Sequence, residues 1–534
     1  MRRAIVPVLI SALTCSALAG CKVTHEDIDE WAVGHGGGGT QKGPGKIVAV
    51  LLADKYDDEL RAYAGLALVR MSPRSPTTQH DAIDGVTEVQ AAVRQIQPVE
   101  RRAAIVDAMI PGLTTMMRGD TDASSDEDSV SDLQIRAKDA AFLLLQFASP
   151  ERHGEVTQLI IDWFVQDFNR RNLAGTYTAE QVVRRLGAPA AEGLIEAMNA
   201  RIAQPTLVKL AELIAVAGDD GTKQRAAERL VAIEREMESD EFGQWLRERL
   251  QEQMRASRPD EEIDESRVAA AAELNRQNYI VLGALPAMKH LNSQRTIQDR
   301  LLELAQTAQA TAPMLIRRKT ALLALEGAAR ADQASALLDI ALIADPPPRQ
   351  NADFDRLRDA AYDRVSDTGS TEVLPRLWQA YDGATSWVLR YRVGSLLISL
   401  GGNAVVSEFF EHLRATSYAR EELYNYGQRL AAVRPTPTEF VNGQLGSDDW
   451  FDRVIAVYFW GRRAQSEADV ARIVALQSDD TATQGEHWEE QNTVGKVAEA
   501  IVTEVRARLE RASGDATAGE DGGAETGSGE GGAE

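Results

Sequence analysis

Asp57–Met71 reads DDELRAYAGLALVRM. Leu60, Ala64, Ala67, Leu68 and Met71 recur at helical spacing, so the stretch predicts a helix with one apolar face and with Arg61 and Arg70 pointing elsewhere. Such a helix needs neighbours, and the same pattern returns along the chain: a basic residue, a small residue three or four positions on, and an apolar residue seven on. Arg136 has Ala140 and Leu143, Arg318 has Ala321 and Leu325, and Arg358 has Ala361 and Val365. Arg390 has Gly394 and Leu397, Arg453 has Ala456 and Trp460, and Lys209 with Val216 is a poor copy. A small residue at that offset lets the next helix approach closely.

Arg318, Arg358 and Arg390 are separated by 40 and 32 residues, and Arg453 follows after 63, about two further steps. Periods of this size mean a helical solenoid, in which each helix pair buries its apolar face only by stacking on the next. The clearest unit is Ser370–Gly402, STEVLPRLWQAYDGATSWVLRYRVGSLLISLGG: a first helix, an Asp382-Gly383 turn, a second helix and a Gly401-Gly402 stop. Leu374-Pro375-Arg376-Leu377 followed by Arg390 resembles the HEAT-repeat family, whose first helix often carries Leu-Pro-x-Leu and whose second carries Arg before small residues. Ile110-Pro111-Gly112-Leu113 offers a variant of the first motif. The resemblance covers most of residues 46–511, is degenerate over 160–260, and implies an all-α, HEAT-like superhelix of roughly 10–12 helix pairs. It implies an architecture and no reaction.

Composition agrees with an array. The chain has 534 residues, is 44% hydrophobic and only 6% aromatic, and lacks long alternating Val/Ile/Thr runs that would suggest sheets. Residues 1–20 read as a secretory signal: Arg2 and Arg3, an apolar run from Ala4, then small residues. Leu18-Ala19-Gly20-Cys21 resembles the bacterial lipobox, which implies cleavage before Cys21 and a covalent lipid on its thiol as the membrane anchor. An ordinary cleaved signal with a chance cysteine is the alternative. Cys15 would leave with the signal, so no disulfide is expected in the mature chain. Lys22, not Asp, follows the cysteine, and by resemblance to the sorting rule of enteric bacteria this implies the outer membrane, facing the periplasm.

Loss of Arg2 and Arg3 takes the formal charge from −23 to −25, a balance that repels nucleic acid and anionic headgroups. Residues 21–45, with seven glycines between Gly34 and Gly45, are expected to tether the array over roughly 25–30 Å, with Ile28 and Trp31 packing as a cap on the first repeat. The expected order is then repeats over 46–258 and over 259–511, and a disordered acidic Gly-rich tail over 512–534. The charge-dense run within 235–267 reads either as a joint between two halves or as a charged helix pair without a hinge. Asp345-Pro346-Pro347-Pro348 must leave helix, and Gly218-Asp219-Asp220-Gly221 is a turn.

Site motifs fail their tests. Gly45-Lys46 is preceded at the required distance by Thr40 and followed by Ile47, so it is no phosphate loop. The acidic loop 119–132 spaces Asp120, Asp122, Ser124, Asp126 and Asp128 like calcium ligands, but Ser125 and Ser131 stand where Gly and Glu are needed, so a solvated loop is expected. Seven scattered histidines form no metal motif, and no nucleophile elbow is present. No catalytic, metal or cofactor residue is therefore assigned beyond the lipid on Cys21. The arginine series resembles the Asp/Arg ladder that ties neighbouring HEAT repeats. The functional expectation is a non-enzymatic, lipid-anchored scaffold of the bacterial cell envelope that binds one or more envelope proteins. Its surface is sought among exposed aromatics of Trp378, Trp387, Tyr391, Tyr424, Tyr426, Trp450, Tyr458, Phe459 and Trp460. The rival is a lyase- or isomerase-type repeat enzyme acting on a chromophore, as in related repeats that attach or isomerise bilins; it would require a buried Asp or His converging with aromatics.

Overall fold

The computed structural model describes residues 22–33, 42–71, 84–119, 130–257, 264–308, 311–343, 351–413 and 417–518. Residues 1–20 (expected to be a signal), Cys21, the body of the acidic loop, the Pro346–Pro348 run and 519–534 lie outside them. Helices dominate the described residues, which hold no β-strand and a single isolated bridge, Ala482 with Thr493. The chain divides into two compact units, Met1–Trp245 and Leu246–Glu534. The division falls inside a helix, within the charged run and ahead of the boundary expected at 258.

Unit 1 begins with α1 (His25–Val33), α2 (Lys42–Leu52) and α3 (Asp58–Arg70). Asp57 caps α3 by accepting the Leu60 N–H at 2.8 Å. The apolar face read from the sequence is only part of what α3 buries. Arg61, Ala62 and Ala64–Val69 are all buried, because α1, α2, α4 (Gly85–Gln95) and α5 (Val99–Arg118) pack around it. Arg61, expected to point away from the apolar face, is itself fully buried: its guanidinium donates to the Leu51 carbonyl at 2.8 Å and to Asp54 at 3.1 Å. Leu51 lies in the last turn of α2, whose carbonyls have no intrahelical partner, and a cation is the natural group to satisfy them.

Two other expectations change here. Residues 25–33, assigned to the tether, form α1; Ile28 is buried and Tyr63 donates its hydroxyl to Asp29, so α1 is the cap of the first repeat. Since α2 starts at Lys42, the end of the glycine-rich stretch is helical as well. The motif variant Ile110–Leu113 lies within the 20-residue α5, with Pro111 inside the helix.

Unit 1 continues with α6 (Asp132–Leu144), α7 (Pro150–Gln166), α8 (Phe168–Arg171), α9 (Ala179–Leu186), α10 (Ala188–Ala197), α11 (Gln204–Ala217), α12 (Asp220–Met237) and the start of α13 (Asp240–Ser257). Ser131 and Gln134 form a capping box that starts α6 as the acidic loop ends. The degenerate region is degenerate because α8 to α10 are short, and a buried ion pair holds the irregular chain between α8 and α9. Lys138 pairs with Asp139 at 2.5 Å and donates to the carbonyls of Ala174 and Tyr177 at 2.9 and 2.5 Å. Asp219 caps α12, so the expected turn is confined to Gly218-Asp219, and Asp220 and Gly221 are already helical.

Unit 2 holds the rest of α13, then α14 (Glu265–Tyr279), α15 (Leu285–His290), α16 (Arg295–Ala305), α17 (Ala312–Ala324), α18 (Ala334–Ala341) and α19 (Asn351–Thr368). The expected unit follows as α20 (Leu374–Asp382) and α21 (Trp387–Gly401), with Gly383 and Gly402 at the ends and Pro375 in the first turn of α20. Last come α22 (Val406–His412), α23 (Arg420–Ala432), α24 (Thr438–Gln444), α25 (Trp450–Arg463), α26 (Glu467–Val474) and α27 (Val494–Ala518). Since α27 runs to Ala518, residues 512–518 of the expected tail are helical, and 519–534 lie outside the described residues. The odd-numbered helices from α17 to α27 pack each on the next in one layer. Glycines set its spacing. A Cβ placed on Gly394, Gly427 or Gly461 would fall 2.6 Å from Tyr426 Oη, 2.5 Å from Tyr458 Cβ or 2.7 Å from Ile501 Cγ2, each on the following odd helix. Gly394 belongs to the small-residue period read from the sequence and makes the close approach expected of it; Gly427 and Gly461 lie outside that series.

The arginine series ties helices together, but mostly not as an Asp/Arg ladder. Arg318 donates to the Ala305 carbonyl at 2.8 Å, Arg358 to Ile343 at 3.4 Å and Arg136 to Arg70 at 3.0 Å, each at the end of another helix, as Arg61 does.

Candidate functional site

Arg390 departs from that rule, and the departure builds a site. Its side chain leaves α21 to meet Glu422 on α23, with Nε and Nη2 donating to the two carboxylate oxygens at 2.6 and 2.8 Å. Tyr426 places its hydroxyl 3.0 Å from the same carboxylate and 2.9 Å from the Arg390 carbonyl, while the guanidinium lies 4.8 Å over the Tyr418 ring. Glu422 is fully buried. Burial pushes its carboxyl above the usual carboxylate range, against the opposing pull of Arg390 and Tyr426. For Arg390, burial acts to lower the pKa, but the hydrogen bonds and charge of Glu422 outweigh it and hold the guanidinium ionised. The hydroxyls of Tyr426 and Tyr381 are raised well above their ordinary value, first by burial.

Beside this tie runs a strip of aromatic and amide side chains on successive odd helices. Trp387 meets Tyr391 edge-on at 6.4 Å; Asn425 donates to the Tyr391 hydroxyl at 2.7 Å and accepts from Ser395 at 3.1 Å. Tyr424 stands edge-on to Tyr458 at 5.1 Å and is 45% exposed. Next to it, Arg420, Tyr424, Tyr458, Gln491, Ile501 and Glu504 line a groove of about 390 Å³.

A strap borders the strip. Between α26 and α27 the chain leaves helix and crosses the start of α23, where Tyr418 and Arg420 donate their amides to the carbonyls of Gln484 and Glu486 at 2.9 and 3.2 Å. Trp488 is buried against Trp450 and donates to the Tyr418 carbonyl at 2.7 Å; Glu486 accepts from the Trp387 indole at 3.0 Å. His487, at φ 65°, pairs with Glu421 at 2.8 Å and so has a raised pKa. Sequence reading carried helical repeats through this stretch. The signal against them was present: from Ser478 to Thr493 only Ala482 and Trp488 are apolar, and Gly485 interrupts the run.

Of the nine aromatics singled out in the sequence, Tyr426, Trp450, Tyr458, Phe459 and Trp460 are core, Trp378, Trp387 and Tyr391 are half-buried, and Tyr424 is exposed. A second cavity of about 380 Å³ lies on the other side of Arg390, lined also by Tyr381, Asp382, Glu411, His412 and Tyr418. His412 stacks on Trp378 at 4.5 Å and contacts Asp382 at 2.8 Å. Among the described residues no three His, Cys, Asp or Glu side chains gather as a metal site would require. The run Trp387–His412 is long and apolar enough to cross a bilayer by length and composition, and half of that window is buried inside unit 2.

No protein-family model matches the chain. No curated protein matches it in sequence. Among solved structures it is similar to Kap121p bound to Pho4p, at 12% identity over 90% of this chain and 50% of that one, with a TM-score of 0.33. Importin beta crystallised in ammonium sulfate matches at 12% identity over 91% of this chain and 66% of its own, with a TM-score of 0.25. An engineered protein matches at 14% identity over 87% and 98%, with a TM-score of 0.20. The chain spans about half the length of the Kap121p structures. At such scores the fold assignment rests on the chain's own helix packing.

Proposed function

We propose that this protein is a non-enzymatic scaffold that presents the strip on α21, α23 and α25 to another protein of the bacterial cell envelope, held by a lipid on Cys21 at the outer membrane and facing the periplasm. The observation that carries the reading is the strip itself: Trp387, Tyr391, Asn425 and Tyr424 lie on consecutive helices of one layer, their polar atoms already arranged and their rings partly open to solvent. Rigid aromatics with fixed polar neighbours are what concentrates binding energy at protein interfaces. The buried acid beside them is spent, since Arg390 and Tyr426 occupy both oxygens of Glu422.

The test is photo-crosslinking in intact cells from an amino acid placed at Tyr424, with exposed Val216 in unit 1 as the comparison site. The reading expects a defined envelope protein captured from Tyr424 alone, and lost when Trp387→Ala and Tyr391→Ala are added without loss of helicity. Equal capture from both sites would refute it. The lyase or isomerase reading draws on one observation, the cavity between Arg390, His412 and Tyr418, and would be supported by a visible absorption change when a linear tetrapyrrole is added.

A further inference from the structure

The charged surface of unit 2 is not evenly matched. Most described arginines of unit 2 face a carboxylate, yet Arg429, Arg434, Arg462, Arg463, Arg508 and Arg511 form no ion pair among the described residues. Arg429 and Arg434 lie at the C-terminal end of α23, Arg462 and Arg463 at that of α25, and Arg508 and Arg511 in the second half of α27, about two to three turns before its end. Gly427 meets Tyr458 and Gly461 meets Ile501, so the ends of α23 and α25 lie side by side while α27 continues past them. Arg508 reaches across and donates to the Ala464 carbonyl at 2.8 Å, which brings it to the end of α25 beside Arg462 and Arg463. Arg434 turns onto the carbonyls that close α23. Two further arginines nearby are already matched, Arg506 by Glu467 and Arg472 by Asp469. The C-termini of α23 and α25 contribute about half a negative charge each, well short of six guanidiniums.

We propose that this arginine edge is the docking surface for the chain's own acidic segment, residues 519–534. That segment, GEDGGAETGSGEGGAE, carries five acids and no base, and it follows α27 directly. From Arg511 to Ala518 the helix advances about 10 Å. A 16-residue glycine-rich chain has a root-mean-square span of about 20–24 Å, so it can return past Arg511 to Arg508 and the end of α25. Tethering makes each contact intramolecular, at an effective concentration on the order of millimolar. Single exposed pairs are weak, so the contact is collective, without fixed side-chain geometry, and sensitive to salt. Glycine at seven of the sixteen positions suits a segment that follows charge instead of filling pockets.

Two measurements on the mature full chain test this. The first is the rate of cleavage by a glutamate-specific protease after Glu520 and Glu525, followed by mass spectrometry. At about 0.02 M salt the native segment should be cut roughly fivefold more slowly than in an Arg429→Glu, Arg462→Glu, Arg511→Glu variant, and the difference should vanish at about 0.5 M salt, where screening leaves a few ångströms of range. All three replaced residues are exposed, so the variant keeps its fold, which circular dichroism confirms independently. The second is elution from heparin: a chain ending at Ala518 should require more salt than the full chain. Equal cleavage in native and variant chains would overturn the proposal. So would equal heparin retention with and without the segment, which would assign the edge to an external polyanion.

Discussion

Replacing Arg61 with Met isolates the device that recurs along this chain. The side chain is fully buried, and its one short bond to a buried acceptor is Nε to the Leu51 carbonyl at 2.8 Å. A second bond, to Leu52, is long at 3.4 Å, and the Asp54 partner is 70% exposed. Methionine fills the space of the arginine stem, so packing changes little. What remains is a buried helix-terminal carbonyl without its cation. Losing a charged hydrogen bond and stranding its acceptor costs about 2–3 kcal/mol, and the two weaker contacts bring the total to roughly 2–4 kcal/mol. Arg61→Lys should recover only part, because one ammonium cannot reproduce the fork that spans Leu51, Leu52 and Asp54. For a unit of about 245 residues each kcal/mol shifts the midpoint by about 2–4 °C, so the unit 1 transition should fall by roughly 5–12 °C. Calorimetry of the whole chain reads this directly. Arg70→Met is the comparison: Arg70 is exposed and lies 5.6 Å over the Tyr63 ring, worth about 0.5–1 kcal/mol. If Arg61→Met moves the transition no more than Arg70→Met, the cation is not what closes α2.

Gly427→Ala should destabilise unit 2 by about 1–3 kcal/mol despite alanine's better helix propensity, because the new methyl meets the Ile455 carbonyl and Phe459 amide at 2.9 Å as well as Tyr458; Gly154→Ala, with nothing within 4 Å, should be neutral or stabilising in the same melts. Strap docking should be best between two limits of pH. Glu421 is held below its ordinary range: burial acts to raise it, but the His487 hydrogen bond prevails, so its contribution fades as pH falls through the depressed value. His487 is raised above 6.5 by Glu421, so its contribution is full below 6.5 and is lost as pH rises through the raised value. Hydrogen exchange at the Tyr418 and Arg420 amides, corrected for intrinsic rates, should show that window, and flat protection from pH 4 to 9 would remove the device. Cys21→Ala should give an uncleaved precursor or a soluble species; fatty-acid labelling that persists in this variant would end the lipid assignment.

Local chemistry was legible in the sequence. The 3.6-residue period, the break between helices at Gly218-Asp219 and the Ser370–Gly402 helix pair all depend on residues within a few positions of one another. The recurrence of small residues also forecast close helix approach, since Gly394 can be read without knowing that Tyr426 is what approaches it. What periodicity could not supply was the partner of a side chain on a different element. Arg61 looks like a surface cation until α2 presents its last carbonyls, and Arg390 looks like Arg318 until Glu422 arrives from 32 residues on. The strap shows the same limit. Its main-chain pairing with Tyr418 and Arg420 joins segments some 66 residues apart, and hydrogen bonds of the backbone carry no residue signature. Helical repeats are specified by local patterns, whereas the site lies where the chain departs from the repeat, and only contacts distant in sequence decide where that is.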